Sequence, residues 1–259
     1  MRLTHVGGPT LLVELAGWTL LTDPTFDPPG RRYDFGWGTS SRKVTGPALD
    51  RGDLPPVDAV LLSHDHHADN LDDAGRALLP SAPVVVTTVA GAARLGDGAR
   101  GLVPWASTVL TAPGRVPLVV TATPARHGPP LSRRVSGDVV GFAVHPQGAE
   151  GGVVWISGDT VFHRRLREVA DRLTVDVAVL HLGGVRFPVT GPLRFSMTGR
   201  GAVRTARLLE PRVVVPVHHE GWSHFREGRD GVQRALDRAP DVGRRFRWLP
   251  SGVPVDVGG

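Results

Sequence analysis

The sequence contains no cysteine among its 259 residues. Disulfides, thiolate nucleophiles and thiolate metal sites are therefore excluded, and any metal ion must be held by histidine and carboxylate side chains. Lysine is almost absent as well, because Lys43 is the only one and nearly all of the 30 basic residues are arginines. These arginines are scattered rather than gathered into a patch, which argues against dedicated nucleic-acid binding despite a formal net charge of +5.

Long apolar runs are lacking too. None is long enough to span a bilayer, and the first eight residues have neither the apolar segment nor the cleavage motif of a secretory leader. We therefore expect a cytoplasmic protein. No long polar linker divides the chain, so we expect one domain over residues 1–259. The positive charge favours an anionic small-molecule substrate, and a homo-oligomer is compatible with the sequence.

Short apolar strands occur throughout the chain, and helical patterns alternate with them in the second half. The clearest helix is an apolar stripe from Ala202 to Leu209, for which Thr198 is a suitable N-cap. Helices that recur between buried strands predict an α/β fold in which sheets are covered by helices. Residues 25–56 lack periodicity and are expected to form a long loop. This loop acts either as a lid or binding loop, or is pinned to the core by its aromatic residues Phe26, Tyr33, Phe35 and Trp37.

The densest group of reactive side chains is Leu61-Leu62-Ser63-His64-Asp65-His66-His67-Ala68-Asp69-Asn70, directly after an apolar strand. Alternate side chains of a strand point to the same side, so His64 and His66 can converge on one point, as metal ligands do. Asn70 directly precedes the apolar stripe of a short helix and is well suited to be its N-cap.

Three further polar groups follow apolar strands: His127, Asp159 and His218. Each alone is a weak signal, because a histidine at a strand end is more often structural and Asp159 could merely cap a helix. Together with the histidine cluster they supply nitrogen and oxygen ligands that suit Zn²⁺ or Mn²⁺.

This order of groups resembles the metallo-β-lactamase superfamily of metal-dependent hydrolases. Finer motifs are similar to the branch of ascorbate-6-phosphate lactonase-like proteins and of phospholipase D enzymes acting on N-acyl phosphatidylethanolamine. These motifs are Leu21-Thr22-Asp23-Pro24, Ser63-His64-Asp65-His66, Thr123-Pro124-Ala125-Arg126-His127 and Pro216-Val217-His218. The resemblance implies an αββα sandwich of two mixed sheets, with the metal site at one edge.

The resemblance also implies roles for individual residues. The ligands of a first ion would be His64, His66 and His127; Asp159 would bridge two ions, and Asp69 and His218 would hold the second. The family pattern is His-x-His-x-Asp-His, whereas this chain has one inserted residue and carries Asn70 in place of the last histidine. The first ion is therefore expected to be Zn²⁺, and the second site is left open. Either the second ion is weakly held, is Mn²⁺ or is absent, or its site is completed by His67 turning inward.

The implied chemistry is hydrolysis of an ester, lactone or phosphodiester by a metal-activated water. Asp69 and Asp159 are the implied catalytic residues, with Asp69 orienting the nucleophile or accepting its proton. Substrate contacts are expected from His181, His219, Trp222 and His224 near the mouth of the site. The alternative is a metal-binding protein that has lost catalysis through Asn70. A nuclease is disfavoured because the sequence lacks a basic cluster.

Overall fold

Short runs of valine and leucine form most of the strands in the computed structural model, which describes residues 1–258. The strands are β1 (Arg2–Gly7), β2 (Thr10–Leu15), β3 (Trp18–Thr22), β4 (Arg32–Gly36), β5 (Thr39–Arg42), β6 (Ala59–Leu61), β7 (Val85–Thr88), β8 (Ala99–Leu102), β9 (Ser107–Leu110), β10 (Leu118–Pro124), β11 (Val140–Pro146), β12 (Val153–Ile156), β13 (Val175–His181), β14 (Val213–Val217) and β15 (Val255–Asp256). The helices are α1 (Asp73–Leu78), α2 (Val89–Leu95), α3 (Arg133–Ser136), α4 (Leu166–Arg172), α5 (Gly199–Leu209), α6 (Arg229–Asp237) and α7 (Pro240–Gly243).

The strands form two mixed sheets and a separate hairpin. The first sheet has seven strands in the order β15-β1-β2-β3-β6-β7-β8, and the second has six in the order β14-β13-β12-β11-β10-β9. Strands β10 and β12 are both antiparallel to β11, and β12, β13 and β14 are mutually parallel. The carboxyl ends of β10, β12, β13 and β14 therefore lie at the same edge of the second sheet.

Alternation of side chains along the strands explains how the layers pack. Leu11 and Val13 of the first sheet share a buried cluster with Val177 and Val179 of the second, so this cluster lies between the sheets. Ala178, on the opposite face of β13, packs instead with residues of α4, α5 and α6. The outer face of the first sheet is covered by α1 and neighbouring loops. Each fully buried Leu or Val contributes about 1.5–3 kcal/mol to this arrangement.

The predicted α/β sandwich with helices on its outer faces is thus confirmed. Helix α5 starts where the sequence predicts, because the Oγ1 atom of Thr198 accepts a hydrogen bond from the backbone N–H of Gly201 at 3.1 Å. None of the helices in residues 1–258 is both long and apolar enough to cross a membrane.

Thr198→Ala is expected to lower the free energy of unfolding by about 1 kcal/mol, because it leaves an N–H group of the first turn of α5 without its acceptor. Chemical denaturation followed by circular dichroism measures this change. Thr111→Ala, at an exposed position outside the strands, is the matched control and should unfold like the parent protein. Equal losses in both variants would contradict the capping role.

Two local predictions were wrong. Residues 25–56 are not one irregular loop, because β4 and β5 form an antiparallel hairpin within them. Exposed Arg32 and Asp34 alternate with Tyr33, which is buried, and Phe35, which is half-buried, so the sequence did carry a strand signal. Asn70 is not the N-cap of the short helix.

Helix α1 starts three residues after Asn70, and its N-cap is Asp72, whose side chain accepts a hydrogen bond from Gly75 N–H. The same carboxylate fixes the hairpin to the body of the protein. Its Oδ2 atom accepts a hydrogen bond from Lys43 Nζ at 2.7 Å, and both side chains are buried. The only lysine of the chain therefore holds the base of the β4–β5 hairpin against α1.

Candidate metal centre

Side chains from the ends of several strands converge at one edge of the two sheets. His127 follows β10, Asp159 follows β12 and His218 follows β14, and these strands share a direction. The loop after β6 carries His64 and reaches them from the facing sheet. Its Ser63 carbonyl accepts a hydrogen bond from Val140 N–H at the start of β11, which joins the two sheets at this edge.

The first group of ligand atoms consists of three imidazole nitrogens. His67 Nδ1 lies 3.1 Å from His64 Nε2 and 3.0 Å from His127 Nε2. The outer nitrogen of His127, Nδ1, donates a hydrogen bond to the carbonyl of Phe195 at 2.5 Å. His64 Nδ1 lies 2.9 Å from Ser63 Oγ. These outer contacts orient the two rings so that their Nε2 atoms face His67.

The electrostatics of this group suit a cation. Burial lowers the pKa of His64, His67 and His127 below that of an ordinary histidine, and neighbouring imidazoles lower that of His64 and His67 further. Neutral imidazole is the form that binds metal ions. A single N–H group on His67 Nδ1 cannot donate fully to both Nε2 atoms, whereas a metal ion could be bound by all three nitrogens.

His66 lies beside this group but faces elsewhere. Its side chain is 24% exposed, and its Nε2 atom donates a hydrogen bond to the carbonyl of Ser136 at 2.8 Å. One of its nitrogens is within 4.8 Å of nitrogens of His64 and His67, whereas the grouping around His127 consists of His64, His127 and Asp159. The sequence predicted His66 at the centre, whereas the structure brings His67 into contact with His127. In the alternative left open above, His67 turns inward to complete the second site; its Nδ1 instead lies beside His64 and His127 of the first group, so completion of the second site by His67 stays a prediction.

The second group consists of Asp69, Asp159 and His218, which offer ligand atoms within 4.8 Å of one another. Asp159 Oδ1 is 3.5 Å from His218 Nδ1, and its Oδ2 is 3.8 Å from His127 Nε2, so this carboxylate lies between both groups. Several atoms here are buried without a hydrogen-bond partner among the described residues: Asp69 Oδ1, Asp159 Oδ1 and Oδ2, His218 Nε2 and Asn70 Oδ1. Unsatisfied buried carboxylate oxygens are costly, and a bound cation would satisfy them.

The charges in the second group are strongly coupled. Burial alone would raise the pKa of Asp69, but the imidazoles of His218 and His224, whose Nε2 atoms lie 3.4 and 3.0 Å from its Oδ2, hold it well below the usual range. Burial likewise opposes the charged form of His218, yet the carboxylates of Asp159 and Asp69 raise its pKa to about 9. The set of histidine and carboxylate donors fits a divalent ion such as Zn²⁺ or Mn²⁺.

A glycine before Asp159 allows this carboxylate to reach the centre. Gly158 has a φ of +58°, and a Cβ atom on it would lie 2.5 Å from the carbonyl oxygen of Val140. Asp23, from the Leu21-Thr22-Asp23-Pro24 motif, supports the loop of the first group. Its Oδ1 accepts a hydrogen bond from Ser63 N–H at 2.7 Å, and its Oδ2 lies 3.0 Å from His181 Nε2.

A sequence profile described as "Beta-lactamase superfamily domain" matches residues 19–219, which include every residue of both groups. The chain belongs to this family. It is thus a member of the metallo-β-lactamase superfamily of metal-dependent hydrolases, as the sequence motifs predicted. The narrower lactonase-like and phospholipase D-like branch stays a prediction.

Individual proteins are similar to this chain in sequence or in fold. A "UPF0173 metal-dependent hydrolase" of Methanosphaerula palustris is 27% identical over 226 residues, covering 84% of this chain and 93% of that protein. The fold is similar to that of an isothiocyanate hydrolase from Delia radicum gut bacteria (TM-score 0.80, 22% identity, covering 100% and 99% of the two chains). It is also similar to Igni18, a metallo hydrolase from Ignicoccus hospitalis (TM-score 0.70, 21% identity, 99% of both chains).

The four residues that the sequence predicts to contact substrate make contacts with other side chains of the protein. His181 is fully buried, with Nε2 on Asp23 and Nδ1 3.4 Å from Ser157 Oγ. His219 packs edge-on against Trp248, and Trp222 is buried against Tyr33. His224 does reach the second group, because its Nε2 lies 3.0 Å from Asp69 Oδ2 while its Nδ1 contacts Ser41 Oγ. It therefore orients Asp69.

The pocket above the two groups is lined by different residues. His67, Asp69 and His127 form its floor, and the walls are mainly apolar. The wall residues are Phe35, Trp37, Thr39, Val135, Ser136, Val185, Phe187, Thr190 and Phe195. The sequence indicated Phe35 and Trp37 as part of a binding or anchoring loop, but it did not indicate the other wall residues. Residues 183–197 show no helical or strand periodicity, so only their phenylalanines and valines gave any signal.

Proposed function

We propose that the protein hydrolyses a small-molecule substrate with the help of ions held by the two groups of side chains. His64, His67 and His127 would hold the first ion, and Asp69, Asp159 and His218 would hold the second. The observation that supports this proposal is the convergence of unpartnered buried oxygens and neutral imidazole nitrogens in two adjacent groups, of which His67, Asp69 and His127 line a pocket. Such a convergence is unfavourable unless cations occupy it.

The proposed use of His67 gives a simple explanation of the irregular motif. If the inserted residue precedes the second ligand, His67-Ala68-Asp69-Asn70 corresponds to the second half of the family pattern, with Asn70 replacing only the last histidine. The second ion then lacks one nitrogen ligand. We therefore propose a firmly held Zn²⁺ in the first site and a weaker second site that accepts Zn²⁺ or Mn²⁺.

Individual residues of this chain would have separate roles in the reaction. When bound, the ion acts as a Lewis acid that polarises the substrate and makes water a better nucleophile. Asp69 lines the pocket, and its Oδ2 contacts His224; its unpartnered Oδ1 would orient the attacking water and accept its proton when Asp69 does not hold the second ion. Asp159, which is fully buried, holds its charge between the two groups. The apolar walls exclude bulk water from the reacting atoms.

For the bond that is cleaved, we propose the ester and lactone class that the lactonase-like motifs suggest. Isothiocyanate hydrolysis is the second candidate, because a protein of very similar fold carries that name and the pocket here is walled by aromatic side chains. Loss of catalysis through Asn70 is the contrasting hypothesis, since the Oδ1 atom of Asn70 is buried without a partner among the described residues.

The test is turnover by protein stripped of metal and reloaded with Zn²⁺ or Mn²⁺, with the ion content measured by mass spectrometry. The substrates are an aryl ester, a γ-lactone, bis(p-nitrophenyl) phosphate and 2-phenylethyl isothiocyanate. We expect turnover of at least one of them that requires the ion and falls by more than about 100-fold in Asp69→Ala. His145→Ala, at a strand end outside both groups, is the control and should keep full activity.

Turnover that persists without metal would contradict the proposal. Full ion content without turnover on any substrate would favour the impaired protein, and cleavage of the phosphodiester alone would move the assignment to that class.

A further inference from the structure

The walls of the pocket have a chemistry that the metal-binding groups do not explain. Phe35 packs edge-on over His67, with ring centroids 5.5 Å apart, and Phe195 does the same over His127 at 6.1 Å. Phe187 joins Phe35 and Phe195 at centroid distances of 5.9 and 6.3 Å. Three phenylalanines thus form a continuous apolar surface that begins at the rings on the pocket floor. A group bound there is in contact with the reacting centre.

Charged partners are missing from this surface. None of the twelve residues that line the pocket is a lysine or an arginine, and the ionisable ones are His67, Asp69 and His127 on the floor. A negatively charged group placed between the phenylalanines would lose its hydration without gaining a counter-ion, which costs several kcal/mol. Arg133 and Arg134 line a cavity beside His66, and Arg133 is already paired with Asp138. Arg126 and Arg165 line another cavity, which meets the apolar pocket at His127 and Ser136 but not at the phenylalanines.

The apolar character continues past the pocket to the outer surface. Trp37 and Val135 both line the pocket and are 71% and 45% exposed. Val189, beside the lining residue Thr190, is 63% exposed. These side chains come from the β4–β5 hairpin, helix α3 and the turn at Pro188–Thr190, so three separate segments bring apolar surface to one opening. Exposed apolar groups clustered at an opening mark a binding site for an apolar partner.

We propose that the substrate carries a neutral aryl or alkyl group, which binds between Phe35, Phe187 and Phe195 and extends onto Trp37 and Val135. The susceptible bond would then lie at the inner end of this group, over the pocket floor. This inference rests on the proposed hydrolase function, since it names the class of substrate for that site. It replaces the anionic substrate that the net charge of the chain favours. The arginines responsible for that charge do not line the pocket.

The test measures binding rather than turnover. Acetohydroxamate, butyrohydroxamate and hexanohydroxamate share a metal-chelating head and differ only in apolar length, and their affinities for the Zn²⁺-loaded protein are measured by titration calorimetry. We expect about fourfold tighter binding for each methylene that the pocket buries. The monohydroxamate of adipic acid, which ends in a carboxylate, should bind at least about tenfold more weakly than hexanohydroxamate.

Two variants identify the surface responsible. Trp37→Ala removes an exposed side chain and should reduce the gain from butyrohydroxamate to hexanohydroxamate to less than about twofold. Val135→Arg adds a positive charge to the rim and should tighten binding of the carboxylate-ended probe by about two- to fivefold. Phe246→Ala is the control for loss of an aromatic ring, because Phe246 packs in the helical layer on the outer face of the second sheet.

Equal affinity along the series, no binding by any member, or a preference for the carboxylate-ended probe would overturn the inference. A protein that prefers long hydroxamates yet hydrolyses none of the test substrates would instead refute the proposed catalysis and leave the apolar site standing.

Discussion

Replacing His67 with alanine is expected to remove the firmly bound ion, whereas replacing His66 is expected to leave it in place. His67 Nδ1 is within 3.1 Å of the Nε2 atoms of both His64 and His127, while His66 Nε2 is engaged by the carbonyl of Ser136. Changes to groups that merely orient a ligand typically weaken metal binding by 10–100-fold, so loss of a ligand should cost more than about 100-fold.

The measurement is competition for Zn²⁺ against a chromophoric chelator, carried out in parallel on the parent protein, His66→Ala and His67→Ala. His145→Ala serves as a third histidine variant that lies outside both groups and should match the parent. The proposed ligand set would be refuted if His66→Ala lost the ion and His67→Ala kept it. That result would return the motif to the ligand positions of the family pattern.

The choice between His66 and His67 could not be made from the sequence, and the reason is geometric. Strand periodicity places His64 and His66 on one side, but β6 ends at Leu61, before either of them. The chain from Ser63 onward follows a loop, where a spacing of two has no fixed meaning. The sequence therefore predicted that this segment carries ligands, but the choice of His66 as the ring beside His127 rested on strand spacing and on the family resemblance.

Prediction worked best where local patterns and tertiary packing favour the same structure. The α5 stripe and its Thr198 cap are visible in the sequence from Thr198 to Leu209, and packing against the second sheet supports them. The strand ends carrying His127, Asp159 and His218 were found because an apolar run ended in a polar group. Their convergence followed from the family resemblance, and the structure brings these three side chains together.

The walls of the pocket are the part of the site that the sequence indicated least. His181 contacts Asp23 and His219 packs against Trp248, and substrate binding by these two histidines stays a prediction. The walls come from the hairpin, from α3 and from residues 183–197, which are far apart in sequence. An apolar side chain that lines a pocket has the same sequence signature as one that fills a core, so only the three-dimensional arrangement distinguishes Phe187 from a core phenylalanine.

Asp159→Asn is expected to abolish the stabilisation of the protein by metal ions. In the parent, both carboxylate oxygens of Asp159 are fully buried, and neither has a hydrogen-bond partner among residues 1–258. An ion that binds only the folded state at 100 times its dissociation constant adds about 2.7 kcal/mol to the free energy of unfolding, which raises the melting temperature by about 5–10 °C. The asparagine variant should lose this rise.

Without metal, the variant is expected to be at least as stable as the parent, because the amide of asparagine carries no charge that must be buried. His218 does not then become an uncompensated charge, since it can release the proton that the Asp159 carboxylate helps to hold. The metal-free variant should therefore melt at or above the temperature of the metal-free parent. Differential scanning calorimetry, with and without a chelator, measures all four states.

Asp176→Asn is the matched control for this prediction, because it makes the same chemical change at an exposed carboxylate paired with Arg212 at 2.8 Å. Exposed ion pairs contribute about 0–1 kcal/mol, so this variant should keep both its melting temperature and the full rise with metal. If metal-free Asp159→Asn instead melts well below the metal-free parent, the carboxylate stabilises the fold through His218 and His127. The centre would then be a structural ion-pair network in which a bound cation is not needed to satisfy Asp159.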